Sequence, residues 1–349
     1  MGVFGSSGVR GVVNEDLTPA FVERLCAVVG AEWELDRVAI GRDTRLSGPL
    51  FESAAAAGFM SAGVDVGRVG VIPTPGLQDH LRREEIAGCM VTASHNPREY
   101  NGLKFFDATG RELSGAGIER IEQAMSSDDR RRAHWDRVGS EDQVTGVRGL
   151  YIDGIVDAVD AEAIRDHELT VAIDPGHGAG STTSPRLCRE LGCRVVTVNA
   201  TPDGRFPSRS PEPVPGVLED LQRLVRASDA DVGVAHDGDG DRAMFVDETG
   251  AVIDGDTMLA VLATALVEVG DVVVTAVNAS QGIEDAVHTA GGTIERTAIG
   301  SAQILERIAE VEQRGERVPL AGESNGGLFL PEERSARDGA FVLARVLWR

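Results

Sequence analysis

The chain has 349 residues, of which 42% are hydrophobic and 26% are charged, and its formal net charge at pH 7 is −22. This length exceeds the usual size of one domain, so we expect two or three domains with separate cores. The acidic excess excludes nucleic-acid binding that depends on phosphate neutralisation, and it disfavours binding to anionic membranes. No apolar run approaches a membrane span and no targeting signal precedes the first motif, so we expect a soluble, cytoplasmic protein.

The basic side chains are almost all arginine, because Lys104 is the only lysine. We interpret high acidity with so little lysine as the composition of a salt-adapted organism with a GC-rich genome, and hypothesise a halophilic source. Carboxylate repulsion would then have to be screened by salt for the fold to stay compact.

The four cysteines form no CxxC pair and have no histidine at ligand spacing: Cys26, Cys89, Cys188 and Cys193. This pattern predicts neither a zinc site nor a disulfide scaffold. We therefore expect free thiols in a reducing cytoplasm.

One pattern recurs three times along the chain. Each copy has a short β-branched strand, a polar or Gly-rich turn, a helix, a Gly-initiated second strand, and an apolar third strand that ends in a polar loop. The copies open with RVAIG (37–41), LTVAID (169–174) and DVVVTAV (271–277), and they close with TASHNP, HDGDGDR and GESNGG. The alternation predicts three consecutive related α/β domains with mixed sheets. Ligands gather at the carboxyl ends of strands in such sheets, so we expect the three loops to line one cleft.

Two polar stretches are candidate domain junctions, residues 126–146 and residues 246–256. Turn-forming residues are concentrated in both. We place domain I at 1–145, domain II at 146–248 and domain III at 249–349. The final run, RDGAFVLARVLWR, predicts a helix.

The first loop contains Ser94 and His95, and Lys104 follows ten residues after the serine. Ser, His and Asn often stabilise turns, so the loop alone has a structural interpretation. His95 and Lys104 are candidates for proton transfer, since a lysine amine can release its proton where arginine cannot. A turn histidine and a lysine retained by chance are the alternatives.

The second loop carries three carboxylates at alternate positions, Asp237, Asp239 and Asp241. Carboxylates this close need a cation, and an all-oxygen shell suits Mg²⁺ or Ca²⁺. A solvated acidic turn is one alternative. An EF-hand Ca²⁺ loop is another, because Glu248 falls at its twelfth position, but Arg242 stands at the sixth position, where glycine is needed, and the flanks read as strands.

The third loop, AGESNGG, carries Glu323 and Asn325, whose carboxylate and amide groups can bind adjacent sugar hydroxyls. Arg10 and Arg242 can neutralise phosphoryl oxygens, or can form surface ion pairs instead. No GxxxxGK[ST] motif occurs, which disfavours P-loop hydrolysis of nucleotides.

Together these residues resemble the α-D-phosphohexomutase family, which includes phosphoglucomutases, phosphomannomutases and phosphoglucosamine mutases. Eight matching runs appear in family order from residue 4 to about 340: FGSSGVRG, IGRDTRLSG, IPTPGL, VTASHNP with YNGLKF, AIDPGHGAG, TPDGRFPSRSPEP, HDGDGDR and AGESNGG. The GESNGG form is similar to archaeal members, whereas many others read GExSG.

The resemblance implies interconversion of hexose 1-phosphate and hexose 6-phosphate, with glucose, mannose or glucosamine as the sugar. In the family, the serine of the SHNP loop is phosphorylated, donates its phosphoryl group to a sugar monophosphate, and takes one back after the bisphosphorylated sugar has turned around. A hexose 1,6-bisphosphate is thus intermediate and activator, with one Mg²⁺ per chain. The residues that match family positions are Ser94 as phosphoryl carrier, Ser94, Asp237, Asp239 and Asp241 as metal ligands, His95 and Lys104 as acid/base groups, Arg10 and Arg242 as cleft arginines, and Glu323 and Asn325 as the sugar-binding pair.

The family also has a fourth, C-terminal domain, whose SGTEP-type loop binds the distal phosphate of the sugar. The sequence contains no such loop, so we expect this domain to be absent or supplied by a separate chain. Without that anchor the chain alone should be a weak mutase or an inactive one. The alternatives are a non-catalytic or half-reaction fragment that binds sugar phosphates, and a Ca²⁺-binding module.

Overall fold

The structure is a computed structural model that describes residues 4–5, 8–127, 132–334 and 336–348. Ser6 and Ser7 of the FGSSGVRG run, and part of the junction expected at 126–146, lie outside the described residues. Three mixed sheets follow one another along the chain, with six, five and four strands, and helices pack against them. The predicted fold class, three consecutive related α/β domains, is confirmed.

The first unit begins at β1 and contains the six-stranded sheet. Its elements are β1 (Val9–Val12), α1 (Pro19–Glu32), β2 (Arg37–Arg42), α2 (Gly48–Ser61), β3 (Asp65–Val71), α3 (Thr74–Glu84), β4 (Ala87–Val91), β5 (Tyr100–Phe106), α4 (Gly115–Ser126) and β6 (Glu141–Gln143). Thr18 caps α1 by accepting a hydrogen bond from the backbone N–H of Phe21, and a proline follows at the first helical position, as helix starts favour.

The second unit contains the five-stranded sheet. Its elements are α5 (Val147–Val156), α6 (Ala161–Asp166), β7 (Thr170–Asp174), α7 (Ser184–Glu190), β8 (Arg194–Thr197), α8 (Glu219–Ser228), β9 (Val232–His236), β10 (Ala243–Asp247) and β11 (Val252–Ile253). Short 3₁₀ turns precede α7 and α8.

The third unit contains the four-stranded sheet. Its elements are α9 (Gly255–Leu266), β12 (Val272–Ala276), α10 (Gln281–Thr289), β13 (Thr293–Thr297), α11 (Ser301–Gln313), β14 (Ala321–Gly322), β15 (Leu328–Phe329) and α12 (Gly339–Leu347). The helix predicted from the last residues is α12. None of the described helices combines the length and apolar character needed to cross a bilayer.

The three sheets repeat one strand arrangement, as the sequence repeat predicts. In each sheet the opening strand pairs in parallel with the closing strand: β2 with β4, β7 with β9, and β12 with β14. Each closing strand then turns through its polar loop into an antiparallel partner: β5, β10 or β15. The three loops therefore all lie at carboxyl ends of strands, where α/β folds place ligands.

The boundary expected after residue 248 falls inside a hairpin. Strand β11 pairs with β10, with Phe245 opposite Ile253, and so belongs to the second sheet. The turn-rich composition of 246–256 reflects this hairpin turn, where the Asp247 carboxylate accepts the backbone N–H groups of Thr249 and Ala251. The second unit extends to Ile253, and the third begins with α9.

The expectation of separate cores holds only in part for the second and third units, because each has a cluster of its own and the two also share one. One continuous buried cluster runs from Tyr151 in α5 to Leu347 in α12 and includes Phe245 of the second sheet and Val273 of the third. Helix α12 causes this fusion because it packs back against α5, α7 and β10 of the second unit. Two further clusters belong mainly to the first unit, one lies between the second sheet and α8, and one lies between the third sheet and α11. The aspartate loop and the sugar loop are thus attached to a common hydrophobic body.

Candidate active site

The serine loop, residues 92–97, follows β4 and presents a buried hydroxyl. Ser94 is in the left-handed region, with φ of 49°, which a serine adopts only when its surroundings impose it. Its Oγ donates a hydrogen bond to Asp237 Oδ2 at 2.8 Å and lies 3.3 Å from His95 Nδ1. The turn is held locally as well, since the Ser94 backbone N–H donates to Thr92 Oγ1 at 2.8 Å.

A buried arginine that the sequence analysis did not single out holds the serine loop in shape. The Arg45 side chain is fully buried and pairs through Nε with Asp43 Oδ2 at 3.0 Å. Its two terminal nitrogens donate to four backbone carbonyls, those of Ser94, Asn96, Pro97 and Tyr100, at 2.6–2.8 Å. A planar guanidinium is suited to this because it offers five donors in a fixed geometry.

The aspartate loop, residues 236–242, follows β9 and is held in a similar way. Buried Arg209 donates to Asp174 Oδ2 at 2.8 Å and to the carbonyl of His236 at 2.7 Å. The neutral His236 ring also braces the loop, with Nδ1 2.8 Å from the carbonyl of Arg242. Burial lowers the pKa of His236, which keeps the ring uncharged. The sequence analysis singled out neither Arg209 nor His236.

The two glycines between the aspartates are each required for a different structural reason. Gly238 lies against the serine loop, and a Cβ there would come within 2.5 Å of the Ser94 carbonyl oxygen. Gly240 has φ of 71°, a conformation that favours glycine. The two loops can approach each other closely because Gly238 lacks a side chain, whereas Gly240 allows the backbone conformation of the aspartate loop.

The three aspartates of the loop are buried and converge. One ligand oxygen from each of Asp237, Asp239 and Asp241 lies within 4.8 Å of the others. The Oδ1 atoms of Asp239 and Asp241 are buried without a hydrogen-bond partner. Burial and the two neighbouring carboxylates raise the pKa of Asp237 well above its ordinary value. Free carboxylate oxygens in a buried acidic cluster fit a hard divalent cation such as Mg²⁺.

Lys104, on β5, contributes a buried positive charge beside this cluster. Its Nζ is 2.9 Å from Asp239 Oδ2 and 3.5 Å from Asp241 Oδ2. Burial lowers the pKa of Lys104, but Asp239 and Asp241 outweigh burial and the net shift is upward. In this arrangement the amine holds its proton, so Lys104 is a donor rather than a base.

The first unit contacts Asp239 a second time, through the start of α3. The Thr74 hydroxyl donates to Asp239 Oδ2 at 2.6 Å, and its backbone N–H donates to the Asp239 carbonyl at 2.9 Å. This contact joins the aspartate loop to the unit that carries Ser94.

His95 lies between two arginines. Arg242 Nη2 donates to His95 Nδ1 at 2.8 Å, and Arg10 Nη1 donates to Asn96 Oδ1 at 2.6 Å. Burial, followed by the charges of Arg242 and Arg10, lowers the pKa of His95 to about 4, so the ring is neutral at pH 7. Nε of each arginine is buried without a hydrogen-bond partner. Arg242 Nε lies 3.9 Å from Asp237 Oδ2 and from Asp241 Oδ1, and guanidinium N–H groups at this cluster suit an anionic phosphoryl group.

The sugar loop, residues 323–327, follows β14. Glu323 is buried, and its Oε1 accepts a hydrogen bond from the backbone N–H of Gly300 at 3.0 Å. Asn325 uses its Oδ1 within the loop, where it accepts the Gly327 N–H at 2.9 Å. Its amide nitrogen is 3.5 Å from Glu323 Oε2. The carboxylate retains lone pairs for a hydroxyl ligand, whereas half of the asparagine amide is committed to a turn.

One further arginine, also not singled out by the sequence analysis, connects two of the loops. Arg337 donates to Asp241 Oδ2 at 2.6 Å and lies 3.3 Å from Glu323 Oε2. With the contacts above, all the residues expected to act in the site form one cluster, which the three loops build together.

The geometry also tests the alternative interpretations of these residues, which were a solvated acidic turn, an EF-hand loop and a surface ion pair. Asp237, Asp239 and Asp241 are at most 3% exposed, which excludes a solvated acidic turn. The loop is flanked by strands β9 and β10 rather than by helices, which excludes an EF-hand. Arg242 is 4% exposed and therefore not a surface ion pair.

Three family models match consecutive parts of the chain. They describe domains I, II and III of phosphoglucomutase/phosphomannomutase, each an alpha/beta/alpha domain, and match residues 1–132, 150–250 and 254–348. The third match begins just after β11, in agreement with the hairpin that closes the second sheet.

Curated relatives and a solved structure agree with this assignment. A phosphoglucomutase/phosphomannomutase of Thermococcus kodakarensis is 39% identical over 355 residues, which cover 99% of this chain and 76% of the relative. A probable phosphoglucosamine mutase of Methanosarcina acetivorans is 39% identical over 350 residues, covering 99% and 77%. The crystal structure of a phosphoglucomutase/phosphomannomutase family protein of Burkholderia thailandensis has a TM-score of 0.87 at 28% identity, covering 99% of this chain and 76% of that one. The chain therefore belongs to the phosphoglucomutase/phosphomannomutase family.

Proposed function

We propose that the chain interconverts hexose 1-phosphate and hexose 6-phosphate, with Ser94 as the phosphoryl carrier. The observation that carries this proposal is the contact between the loops. The Ser94 hydroxyl bonds directly to an aspartate of a buried carboxylate triad, although the two residues are 143 positions apart in the sequence. A serine placed between such a triad and two arginines with free N–H groups is arranged for phosphoryl transfer.

Each transfer exchanges one oxygen–phosphorus bond for another. When phosphoserine 94 meets a sugar monophosphate, the free sugar hydroxyl attacks phosphorus as the Ser94 Oγ–P bond breaks. The sugar hydroxyl loses its proton to neutral His95, and the serine oxygen takes up a proton from Lys104. The reverse exchange, after the bisphosphate has turned around, gives the isomeric monophosphate and restores phosphoserine 94.

The chain's own groups have distinct parts in this exchange. Lys104 is buried and protonated, so it can supply the proton that Ser94 Oγ takes up. Arg10 and Arg242 would bind the phosphoryl oxygens, and neutral His95 offers a ring nitrogen beside the serine without adding a competing charge.

Asp237, Asp239 and Asp241 would hold one Mg²⁺, with a phosphoserine oxygen as a further ligand. When bound, the ion would neutralise charge on the phosphoryl oxygens. The unpartnered Oδ1 atoms of Asp239 and Asp241 support this assignment.

Glu323 is proposed to bind sugar hydroxyls, since hydroxyl groups are the feature common to glucose, mannose and glucosamine phosphates. Asn325 would act mainly by shaping the loop, because its Oδ1 is already bonded to Gly327. The names of the relatives support this substrate class as a whole.

The experiment is intact-mass analysis after incubation with Mg²⁺ and glucose 1,6-bisphosphate. Wild type should gain the mass of one phosphate, and the Ser94→Ala variant should gain none. Asp237→Asn should gain it much more slowly, while a melting curve close to that of wild type shows that it is folded. A wild-type protein that gains no phosphate would instead support a non-catalytic fragment that only binds sugar phosphates.

A further inference from the structure

Arg337 lies between two loops to which the mechanism above gives different tasks. Its side chain is nine-tenths buried at the point where the second and third units meet. One terminal nitrogen, Nη2, donates to Asp241 Oδ2 at 2.6 Å, and the other, Nη1, is 3.3 Å from Glu323 Oε2. A single guanidinium therefore bridges the aspartate loop and the sugar loop.

Residues on both sides of Arg337, Arg334 and Asp338, form hydrogen bonds with other units of the chain. The next residue, Asp338, caps α12 by accepting the Phe341 N–H at 2.9 Å, and it also accepts the Tyr151 hydroxyl at 2.6 Å. Three residues earlier, Arg334 donates to Asp79 Oδ1 in the first unit at 2.7 Å. Arg337 thus lies directly before the capped start of α12.

The sugar loop makes room for this side chain. At Gly327 a Cβ would lie 2.8 Å from Arg337 Cδ and 3.1 Å from Nη1. Gly327 is not among the residues with positive φ, so its backbone does not require glycine. Asn325 Oδ1 lies 3.0 Å from the same Cβ, so Arg337 and Asn325 together account for the missing side chain.

The bridge leaves one oxygen of Asp241 free. Arg337 occupies Oδ2, whereas Oδ1 is buried without a partner. On Glu323, Gly300 holds Oε1 while Arg337 approaches Oε2, so the carboxylate plane is set from two sides. Asp241 and Glu323 raise the pKa of Arg337 against the effect of burial, so its charge is permanent.

We propose that Arg337 is a positioning residue: it is anchored to Asp241 of the aspartate loop and orients the Glu323 carboxylate toward the sugar. This inference rests on the proposed function, since it assumes that Glu323 binds the sugar. Arg337 acts through Glu323, so its effect should fall on the sugar and not on phosphate in general.

The test is calorimetric titration with glucose 1-phosphate and, separately, with inorganic phosphate, both at fixed Mg²⁺. Arg337→Gln should weaken glucose 1-phosphate binding about tenfold, the scale of a lost hydrogen bond to a charged group. Arg337→Lys should recover part of this loss, because an ammonium keeps the charge but not the two-pronged geometry. Affinity for inorganic phosphate should stay within about twofold of wild type, since a positioning role through Glu323 leaves the phosphoryl contacts in place.

A double-mutant cycle separates action through Glu323 from independent action. In the Glu323→Gln background, Arg337→Gln should weaken glucose 1-phosphate binding much less than in wild type. Equal effects in both backgrounds, or a parallel loss of inorganic phosphate binding, would overturn the proposal. If wild type binds no glucose 1-phosphate, the proposed function fails as well.

Gly327→Ala provides a variant that crowds Arg337 without changing any charge, although the added Cβ also lies 3.0 Å from Asn325 Oδ1. It should weaken glucose 1-phosphate binding in the same direction as Arg337→Gln. The matched control is Gly282→Ala, in the same unit on α10, where the nearest atom to the added Cβ is Ser280 Oγ at 3.6 Å. That control should bind glucose 1-phosphate as wild type does. A Gly327→Ala protein with wild-type affinity would also contradict the proposal.

Discussion

Replacing Arg45 by lysine tests whether the serine loop depends on one buried guanidinium. The arginine satisfies five acceptors, which are Asp43 Oδ2 and the carbonyls of Ser94, Asn96, Pro97 and Tyr100. A lysine ammonium has three donors, so at least two of these five hydrogen bonds are lost. A hydrogen bond to a charged group contributes about 1.5–3 kcal/mol, so Arg45→Lys should lower the free energy of unfolding by about 3–6 kcal/mol.

The same change should slow the chemistry, because Ser94 owes its unusual backbone conformation to this loop. A displacement of about 1 Å can cost about 100-fold in rate, so phosphorylation of Ser94 by glucose 1,6-bisphosphate should slow by at least about tenfold. Urea denaturation gives the stability, and timed intact-mass measurements give the rate.

Arg42→Lys is the matched control for this prediction. Arg42 is the last residue of β2, three residues before Arg45, and pairs with Glu52 at 3.1 Å, but its side chain is 22% exposed. A partly exposed pair contributes at most about 1 kcal/mol, so this variant should stay close to wild type in stability and rate. If Arg45→Lys behaves like Arg42→Lys, the reasoning about the loop carbonyls is refuted.

Three further predictions concern the fold and its surroundings. Lowering the salt concentration from about 1 M to about 0.1 M should lower the midpoint of thermal unfolding. The reason is that the Debye length grows from about 3 to 10 Å, so the net charge of −22 is less screened. An unchanged or higher midpoint would contradict the halophilic hypothesis. Burial, followed by the charge of Asp231, raises the pKa of the Cys193 thiol to about 11, and the other three cysteines are buried. At pH 8 a thiol reagent should therefore react slowly with the native protein and rapidly with all four thiols in denaturant. Fast reaction of the native thiols would contradict this prediction. Tyr151→Phe should lower the free energy of unfolding by about 1–3 kcal/mol, because it removes the hydrogen bond to buried Asp338. The Tyr100 hydroxyl has no hydrogen-bond partner among the described residues, so Tyr100→Phe should lower it by less than about 0.5 kcal/mol. Equal losses of stability in the two variants would refute this reasoning.

The sequence predicted those parts of the site whose residue types stand out locally. Ser94 lies in a distinctive hexapeptide, the three aspartates alternate with glycines, and Lys104 is the only lysine of the chain. Repeated strand and loop patterns also predicted that the loops lie at carboxyl ends of strands, and the sheet pairings confirm this.

The supporting arginines could not be found in this way. In a chain whose basic residues are nearly all arginine, the type of residue gives no signal, and the meaning of Arg45, Arg209 and Arg337 lies in distant partners. Arg337 meets Asp241 across 96 positions, and Arg45 meets Ser94 across 49. Such pairs exist only once the sheets have brought their loops together.

The shared core was missed for a related reason. Helix α12 belongs to the third unit in sequence, and its apolar pattern predicts only that it is buried. That it packs on α5 and α7 of the second unit is a property of the chain path, which local periodicity does not encode.

Transfer of the phosphoryl group out of the protein tests the central claim most directly. Protein phosphorylated with glucose 1,6-bisphosphate is freed of sugar, mixed with Mg²⁺ and glucose 6-phosphate, and followed by intact mass and by assay of the bisphosphate formed. We predict that each phosphoprotein loses one phosphate as one bisphosphate appears, with the phosphate mapped to Ser94 beforehand. A phosphate located on another residue, or one that stays on Ser94 while no bisphosphate forms, would contradict it.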